Sequence, residues 1–181
     1  NGVNPVNEDL ARALNFADLV RVGLAGNLRY YSFMGSNGGQ ITGFDVLYNG
    51  SPAGYTLDPQ ENIVYVSKHD NETLFDNMLF RIPSGTPMAN IVRMQNLSLS
   101  FALYAQGVPF LHAGSDMLRS KSLDRNSYNS GDWFNRLDFS YQTNNFGVGL
   151  PPSADNSAQW DIMRPLLANP ALKPSSDDIL L

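Results

Sequence analysis

Apolar positions change spacing along this chain, and each change marks an element. Over residues 7–22, Leu10, Ala13, Leu14, Ala17, Leu19 and Val20 fall largely at steps of three and four, the period of an amphipathic helix. The same period predicts a helix over 88–106, with Ile91, Met94, Leu97, Phe101 and Tyr104 on one stripe. Thr86-Pro87 gives it an N-cap and a first-turn proline, and Gly107 stands where a stop belongs. Helical patterns return at 157–167 and at 175–181, where Ser175-Ser176-Asp177 opens a segment that ends within about one turn.

Two shorter runs are continuously apolar and rich in β-branched and aromatic residues. Asn62-Ile63-Val64-Tyr65-Val66-Ser67 and Val108-Pro109-Phe110-Leu111-His112-Ala113-Gly114 read as buried strands. Strand, long helix, strand is a crossover unit, which implies that the two strands run parallel. Residues 25–58 and 115–152 hold no sustained period and are dense in Gly, Asn, Ser, Asp and Tyr. They read as long loops, of the kind that usually carries function, with short strands at Gln40-Ile41-Thr42 and Asp45-Val46-Leu47-Tyr48.

With 181 residues the chain is long enough for one domain with a real core. A net charge of -5, with no two Lys or Arg adjacent, argues against a nucleic-acid partner, which needs a basic face. The chain has no cysteine, which excludes disulfides, thiolate metal sites and a cysteine nucleophile. No run of 18 apolar residues suggests a membrane span, and the N-terminus has neither a signal-peptide pattern nor an initiating Met. The expectation is a chain that begins inside a larger protein. Eight Tyr, ten Phe and two Trp stand among amides and carboxylates, a mixture that suits either a sugar surface or a core with polar loops.

The chemistry gathers at Lys68-His69-Asp70-Asn71, the polar end of the first buried run. In a parallel barrel the active site lies at the C-terminal ends of the strands. An aspartate is ionised near neutral pH, so Asp70 there suits fixing sugar hydroxyls and favouring an oxocarbenium-like transition state. His69 suits donating to the same sugar. The same dipeptide also fits a plain turn or helix cap. A metal is not expected, since the only other histidine, His112, shares no ligand spacing with this pair and has apolar neighbours that suit a structural role.

The stretch Tyr65-Val66-Ser67-Lys68-His69-Asp70-Asn71-Glu72-Thr73-Leu74-Phe75-Asp76 resembles the fourth signature region of the α-amylase family (glycoside hydrolase family 13), in its pullulanase and limit-dextrinase variant. The run from Leu118 through Ser120-Lys121-Ser122-Leu123-Asp124-Arg125 to Ser130-Gly131-Asp132-Trp133-Phe134-Asn135 resembles the loop after the last barrel strand of those enzymes. Asn144-Asn145-Phe146-Gly147-Val148-Gly149-Leu150-Pro151 extends the likeness, and Gly23-Leu24-Ala25-Gly26-Asn27-Leu28-Arg29 and Ala53-Gly54-Tyr55 resemble segments upstream.

The resemblance implies an α/β chain, the C-terminal part of a (β/α)8 TIM barrel with its last strands and helices and long active-site loops. Residues 1–181 would then be one partial catalytic domain, truncated at both ends. It implies a retaining hydrolase of α-1,6 branch linkages in pullulan, limit dextrins and starch- or glycogen-type glucans. Asp70 would be the third catalytic carboxylate, a transition-state stabiliser, with His69 and Arg125 as substrate contacts. Arg125 also fits a structural ion pair with Asp124 or Asp132, and Trp133 fits a loop anchor. The nucleophilic aspartate and the acid/base glutamate of the family are absent from this stretch, so the chain alone should be inactive. A non-catalytic glucan-binding remnant, or an enzyme of another linkage specificity, is the alternative. The expected partners are an α-glucan, the rest of the barrel and flanking β-domains, with no nucleic acid and no membrane. No cofactor is expected; related barrels often carry calcium, but no ligand set is assignable here. The compartment is not legible.

Overall fold

The computed structural model describes residues 10–181, so the first three positions of the predicted helix over 7–22 lie outside the described residues. The chain is a small mixed helix and sheet structure. Its elements in order are helix α1 (Leu10–Leu24), strands β1 (Ser32–Met34), β2 (Gln40–Thr42), β3 (Leu47–Tyr48), β4 (Ser51–Pro52) and β5 (Ile63–Val64). Helices α2 (Leu74–Leu79) and α3 (Met88–Tyr104) follow, then strand β6 (Val108–Pro109). Four short helices close the chain: α4 (Asp132–Asn135), α5 (Ser153–Asn156), α6 (Trp160–Leu167) and α7 (Ser176–Leu180). No described helix is long and apolar enough to cross a membrane. The described residues fall into two compact units, divided between Val66 and Ser67, within α3 between Leu99 and Ser100, and between Phe110 and Leu111.

One unit comprises the described residues up to Val66 together with Ser100–Phe110. Two antiparallel hairpins and one parallel pair make up its sheets. The β3–β4 turn is Asn49-Gly50, both at positive φ (50° and 81°), the requirement of a two-residue hairpin turn that follows strand twist. Val22, Phe33, Val46 and Ala53 form its small core. Asp18, buried on α1, ties that helix to the β1–β2 turn by accepting from the Ser36 amide (3.0 Å) and hydroxyl (2.6 Å) and from Arg21 (2.7 Å). At Gly26 (φ +73°) a Cβ would stand 2.4 Å from the Gln106 carbonyl, so the helix exit admits only glycine.

The predicted parallel pairing is present: Ile63 aligns with Val108 and Val64 with Pro109. The strands are shorter than the runs that predicted them and are not buried. Ile63 is 60% exposed, and Tyr65, Val66, Val108, Phe110 and Leu111 are exposed with it. The physical reason is that this sheet has two strands only, and nothing in the described residues covers its faces. The second predicted strand ends at Pro109, and His112 and its neighbours belong to a turn region.

The other unit holds Ser67–Leu99 and Leu111–Leu181. Its core joins Phe75 and Leu79 of α2, Ile91 and Val92 of α3, Met117, Leu118, Leu123 and Phe146 of the long loop, Met163 of α6, Leu172 of the turn after it, and Ile179 of α7. Phe75 meets Phe146 edge to face at 6.0 Å between ring centres. Thr73 caps α2, its hydroxyl accepting from the Asp76 amide at 3.2 Å. Ser175 and Asp178 form a reciprocal capping box on α7, as the serine-rich start of that segment predicts.

The helix α3 forms where expected, but its buried face differs from the predicted stripe. Ile91, Val92, Gln95 and Ala102 are buried, whereas Leu97, Phe101 and Tyr104 are exposed. Gln95 takes an inside position with its amide nitrogen donating to the Ser115 carbonyl at 2.8 Å, which offsets part of the cost of burying it, while its Oε1 has no partner. The hydrophobic period therefore gives the helix and misplaces its inner face. Truncating Ile91 to Ala is expected to lower the unfolding free energy by about 2–5 kcal/mol. Tyr104→Ala, at a position 80% exposed, should cost under ~0.5 kcal/mol. Denaturant melts of the two variants check the assignment.

Candidate functional site

The predicted loop over 115–152 contains the most buried polar residues of its unit, so it is a built part of the fold and not a solvated connection. Ser115, Ser120, Lys121, Ser122, Asp124, Asn144 and Asn145 are all buried. A buried backbone without regular structure must pair its polar groups through side chains. Here Asn144 donates to the Leu118 carbonyl (2.9 Å) and accepts from the Phe146 amide (3.1 Å). The Ser122 hydroxyl donates to the Asn145 carbonyl (3.1 Å) and accepts from the Val148 amide (2.9 Å). Asp124 accepts from the Ser130 hydroxyl (2.5 Å), the Asn126 amide (2.9 Å) and the Asn156 side chain (2.9 Å).

Asp76 is the centre of this network. It lies in the first turn of α2, fully buried, and accepts from the Ser120 hydroxyl at 2.5 Å and the Lys121 amide at 2.7 Å. Burial pushes its carboxyl up to about 6, against the opposing pull of those donors. Six residues earlier sits Asp70. The Asp76 bonds therefore join the segment bearing Asp70 directly to the segment bearing Arg119, Lys121 and Arg125.

Around this joint opens a cleft of about 630 Å³ whose wall includes His69, Asp70, His112, Arg119, Lys121, Asn126, Ser127, Tyr128 and Asn135. Asp70 is exposed and takes a hydrogen bond from the Lys68 ammonium, with His69 Nδ1 at 3.2 Å from its other oxygen. The Lys68 bond, with the nearby His69, holds its carboxyl below the ordinary carboxylate range. It is an anion at neutral pH.

Of the three predicted site residues, His69 and Asp70 share this cleft. Arg125 stands beside it: its guanidinium donates to Asn71 Oδ1 at 3.5 Å, and its amide to Asn156 at 3.1 Å. The alternative ion pair of Arg125 with Asp124 or Asp132 does not form; Asp124 is occupied by the hydroxyl and amide donors given above. Trp133 is exposed and leans on Phe134, while its carbonyl accepts from the Asn145 side chain.

Sequence reasoning singled out neither Arg119 nor Lys121 and gave His112 a structural role. The Arg119 guanidinium contacts His112 Nε2 at 3.0 Å and donates to the Ala113 carbonyl at 3.0 Å. Arginine can only donate, so Nε2 is the acceptor and the single proton of the neutral ring sits on Nδ1, facing the Ser67 hydroxyl at 3.4 Å. Burial together with the charges of Arg119, Lys121 and His69 lowers His112 to about 4, so the ring is neutral at physiological pH. The available signal was the spacing of Arg119 and Lys121, two basic residues flanking one serine with no adjacent acid. Among the described residues no cluster of side chains is arranged to hold a metal ion.

Residues 141–181 match the family described as alpha-1,6-glucosidases, pullulanase-type, C-terminal. The likeness runs through nearly all of the chain. It is 47% identical over 162 residues to Pullulanase 1, chloroplastic, of Arabidopsis thaliana, covering 89% of this chain and 17% of that protein. To the pullulanase of Klebsiella aerogenes it is 45% identical over 163 residues, 90% of this chain and 15% of that protein. Among solved structures, ligand-free PulA of Klebsiella pneumoniae is similar with a TM-score of 0.88 at 42% identity, over 93% of this chain and 16% of that one. The maltotriose complex of PulA from Klebsiella pneumoniae matches equally well. Nearly all of the chain is thus similar to one stretch of proteins named pullulanase, and its last 41 residues match the pullulanase-type family model. The chain spans about a sixth of the length of the relatives it matches.

The two buried titrations have opposite signs. Asp76 binds its proton more tightly folded than unfolded, so raising the pH from about 4 to about 6 costs the fold on the order of 3 kcal/mol. His112 binds its proton less tightly when folded, so raising the pH from about 4 to its ordinary 6.5 adds stability. The two slopes oppose each other across nearly the same window. His112→Gln, which keeps an acceptor for Arg119, should make stability fall more steeply with pH between 4 and 6 than in the unaltered protein. Asp76→Asn should tilt the profile the other way, at a lower overall stability. Chemical denaturation at pH 4, 5, 6 and 7 measures both slopes.

Proposed function

We propose that this chain is the part of a pullulanase-type (β/α)8 barrel that carries its last two strands, and that the whole enzyme cleaves α-1,6 branch linkages in pullulan, limit dextrins and related α-glucans with retention. The observation that carries this reading is that His69 and Asp70, which follow β5 within six positions of the chain, stand together on the wall of a cleft. Asp70 is exposed and anionic, as a group that favours developing positive charge on a sugar ring must be. The neutral His112 and the hydroxyl and amide groups of Ser127, Asn126 and Asn135 give the same cleft the mixed donors and acceptors that hydroxyls require.

The exposed faces of β5 and β6 fit the barrel reading. Parallel strands are stable when covered on both faces, and a lone parallel pair has two unpaired edges. Neighbouring strands and helices of a barrel would supply that cover. They would also supply the nucleophilic aspartate and the acid/base glutamate, without which Asp70 cannot run a double displacement. His69 is assigned as a sugar contact. Arg125, held by Asn71 next to Asp70, serves as a second contact or orients that asparagine.

In the intact enzyme, Asp70→Asn is expected to reduce turnover on pullulan by about a thousandfold or more, with thermal unfolding within a few degrees of the unaltered protein, because Asp70 is exposed. Parallel assays on pullulan and amylose read the linkage preference. Unchanged turnover in the variant would refute the role of Asp70. Binding of pullulan with no hydrolysis by the intact protein would favour the glucan-binding remnant instead.

A further inference from the structure

The Lys121 ammonium is an anomaly of the fold. The residue is 2% exposed, and its Nζ is shielded from solvent with no hydrogen-bond partner. A buried ammonium carries three donors, and leaving them unpaired costs several kcal/mol. The nearby carboxylates do not take them. Asp76 has spent its oxygens on Ser120 and on the Lys121 backbone, and Asp124 on Ser130, Asn126 and Asn156. They favour the positive charge only through their field, which opposes the effect of burial on the ammonium. Arg119, two residues away, also keeps a buried Nε without a partner.

The backbone makes the same point. Leu118, Ser122 and Leu123 all sit at positive φ (56°, 51° and 69°), a conformation that non-glycine residues adopt at a cost. Three such residues within six positions, all buried, hold the segment from Arg119 to Lys121 against the cleft. A fold that needed Lys121 only as filler would be served better by an apolar side chain of the same length.

We propose that Lys121 is a substrate-binding donor of the cleft, whose ammonium is satisfied by a sugar oxygen of the glucan, directly or through one bound water, when the cleft fills. This inference rests on the glucan-cleaving reading above. It adds a residue whose charge serves the ligand at the expense of the empty fold. The two costs are linked: the donor unpaired in the empty cleft is the one available without first breaking another bond.

The test replaces Lys121 with Met, which keeps the length and removes the charge, in the intact enzyme, and measures melting temperature together with kcat and KM on pullulan. The expected result is a melting temperature equal to or above that of the unaltered enzyme. KM should rise about ten- to hundredfold, the worth of one charged hydrogen bond to ligand, with kcat changed much less. A melting temperature lowered by more than about 4 °C would overturn the proposal, because it would make Lys121 a structural partner. Unchanged KM in a well-folded variant would also overturn it. If the unaltered enzyme neither binds nor cleaves pullulan, the glucan reading fails and takes this inference with it. If it cleaves pullulan and only the Met variant is indistinguishable from it, the glucan reading stands and this inference alone falls.

Discussion

The Asp76 carboxylate decides the local structure on which the cleft depends. The loop that receives it has no regular ladder, so its amides cannot be satisfied by strand or helix neighbours. One oxygen fixes the Ser120 hydroxyl, which in turn accepts from the Ser122 amide, and the other fixes the Lys121 amide. Hydrogen bonds to a charged group are worth about 1.5–3 kcal/mol each, and a strained backbone residue costs about 1–3 kcal/mol. Two charged bonds and the apolar contacts of Leu118 and Leu123 therefore offset the positive-φ residues about one for one. Without the carboxylate the loop would lose two of the bonds that offset its strain.

That arrangement explains what could be read from the sequence and what could not. The helices were legible because period and capping residues act locally: Ser175 with Asp178 closes its own first turn whatever lies around it. The parallel pairing of β5 and β6 was legible because a long helix between two apolar runs leaves few topologies. The burial of those strands was misjudged because exposure depends on neighbours that composition does not supply. The inner face of α3 was misjudged because it is rotated from the expected stripe onto Val92, Gln95 and Ala102, where Gln95 is held inside by a bond to Ser115 twenty positions away. The buried network of the polar loop was not legible for the same reason. Ser, Asn and Asp signal turns by their local bonds, and nothing in a sequence distinguishes a local bond from one that reaches 45 residues, as from Lys121 to Asp76.

The site divides along the same line. His69 and Asp70 were singled out by the resemblance of their stretch to a signature region, since the dipeptide alone fits a plain turn equally well; the structure adds that both stand on the wall of the cleft. Arg119, Lys121 and His112 were not legible as site residues, since their meaning comes from mutual contact: a guanidinium on one ring nitrogen makes His112 a neutral donor and acceptor of known tautomer. A histidine that looks structural by its apolar flanks thereby becomes a wall of the cleft.

The two aspartates of this region then form a pair whose environments push them apart. Asp70, exposed and bonded to the Lys68 ammonium, is held ionised at neutral pH and below. Asp76, enclosed and reached only by neutral donors, is driven toward the range in which it takes up a proton. Divergent titration of neighbouring carboxylates separates roles in acid and base chemistry, and here it separates a group that faces the cleft from one that faces the fold. Because Asp76 holds both the Asp70-bearing segment and the Lys121 backbone, protonating it removes a charge from the joint between them while leaving Asp70 anionic. Since the folded state binds that proton more tightly than the unfolded chain does, acidification through about 6 favours the fold at Asp76, and the buried joint and the cleft carboxylate respond to acid in different ranges and with opposite sign.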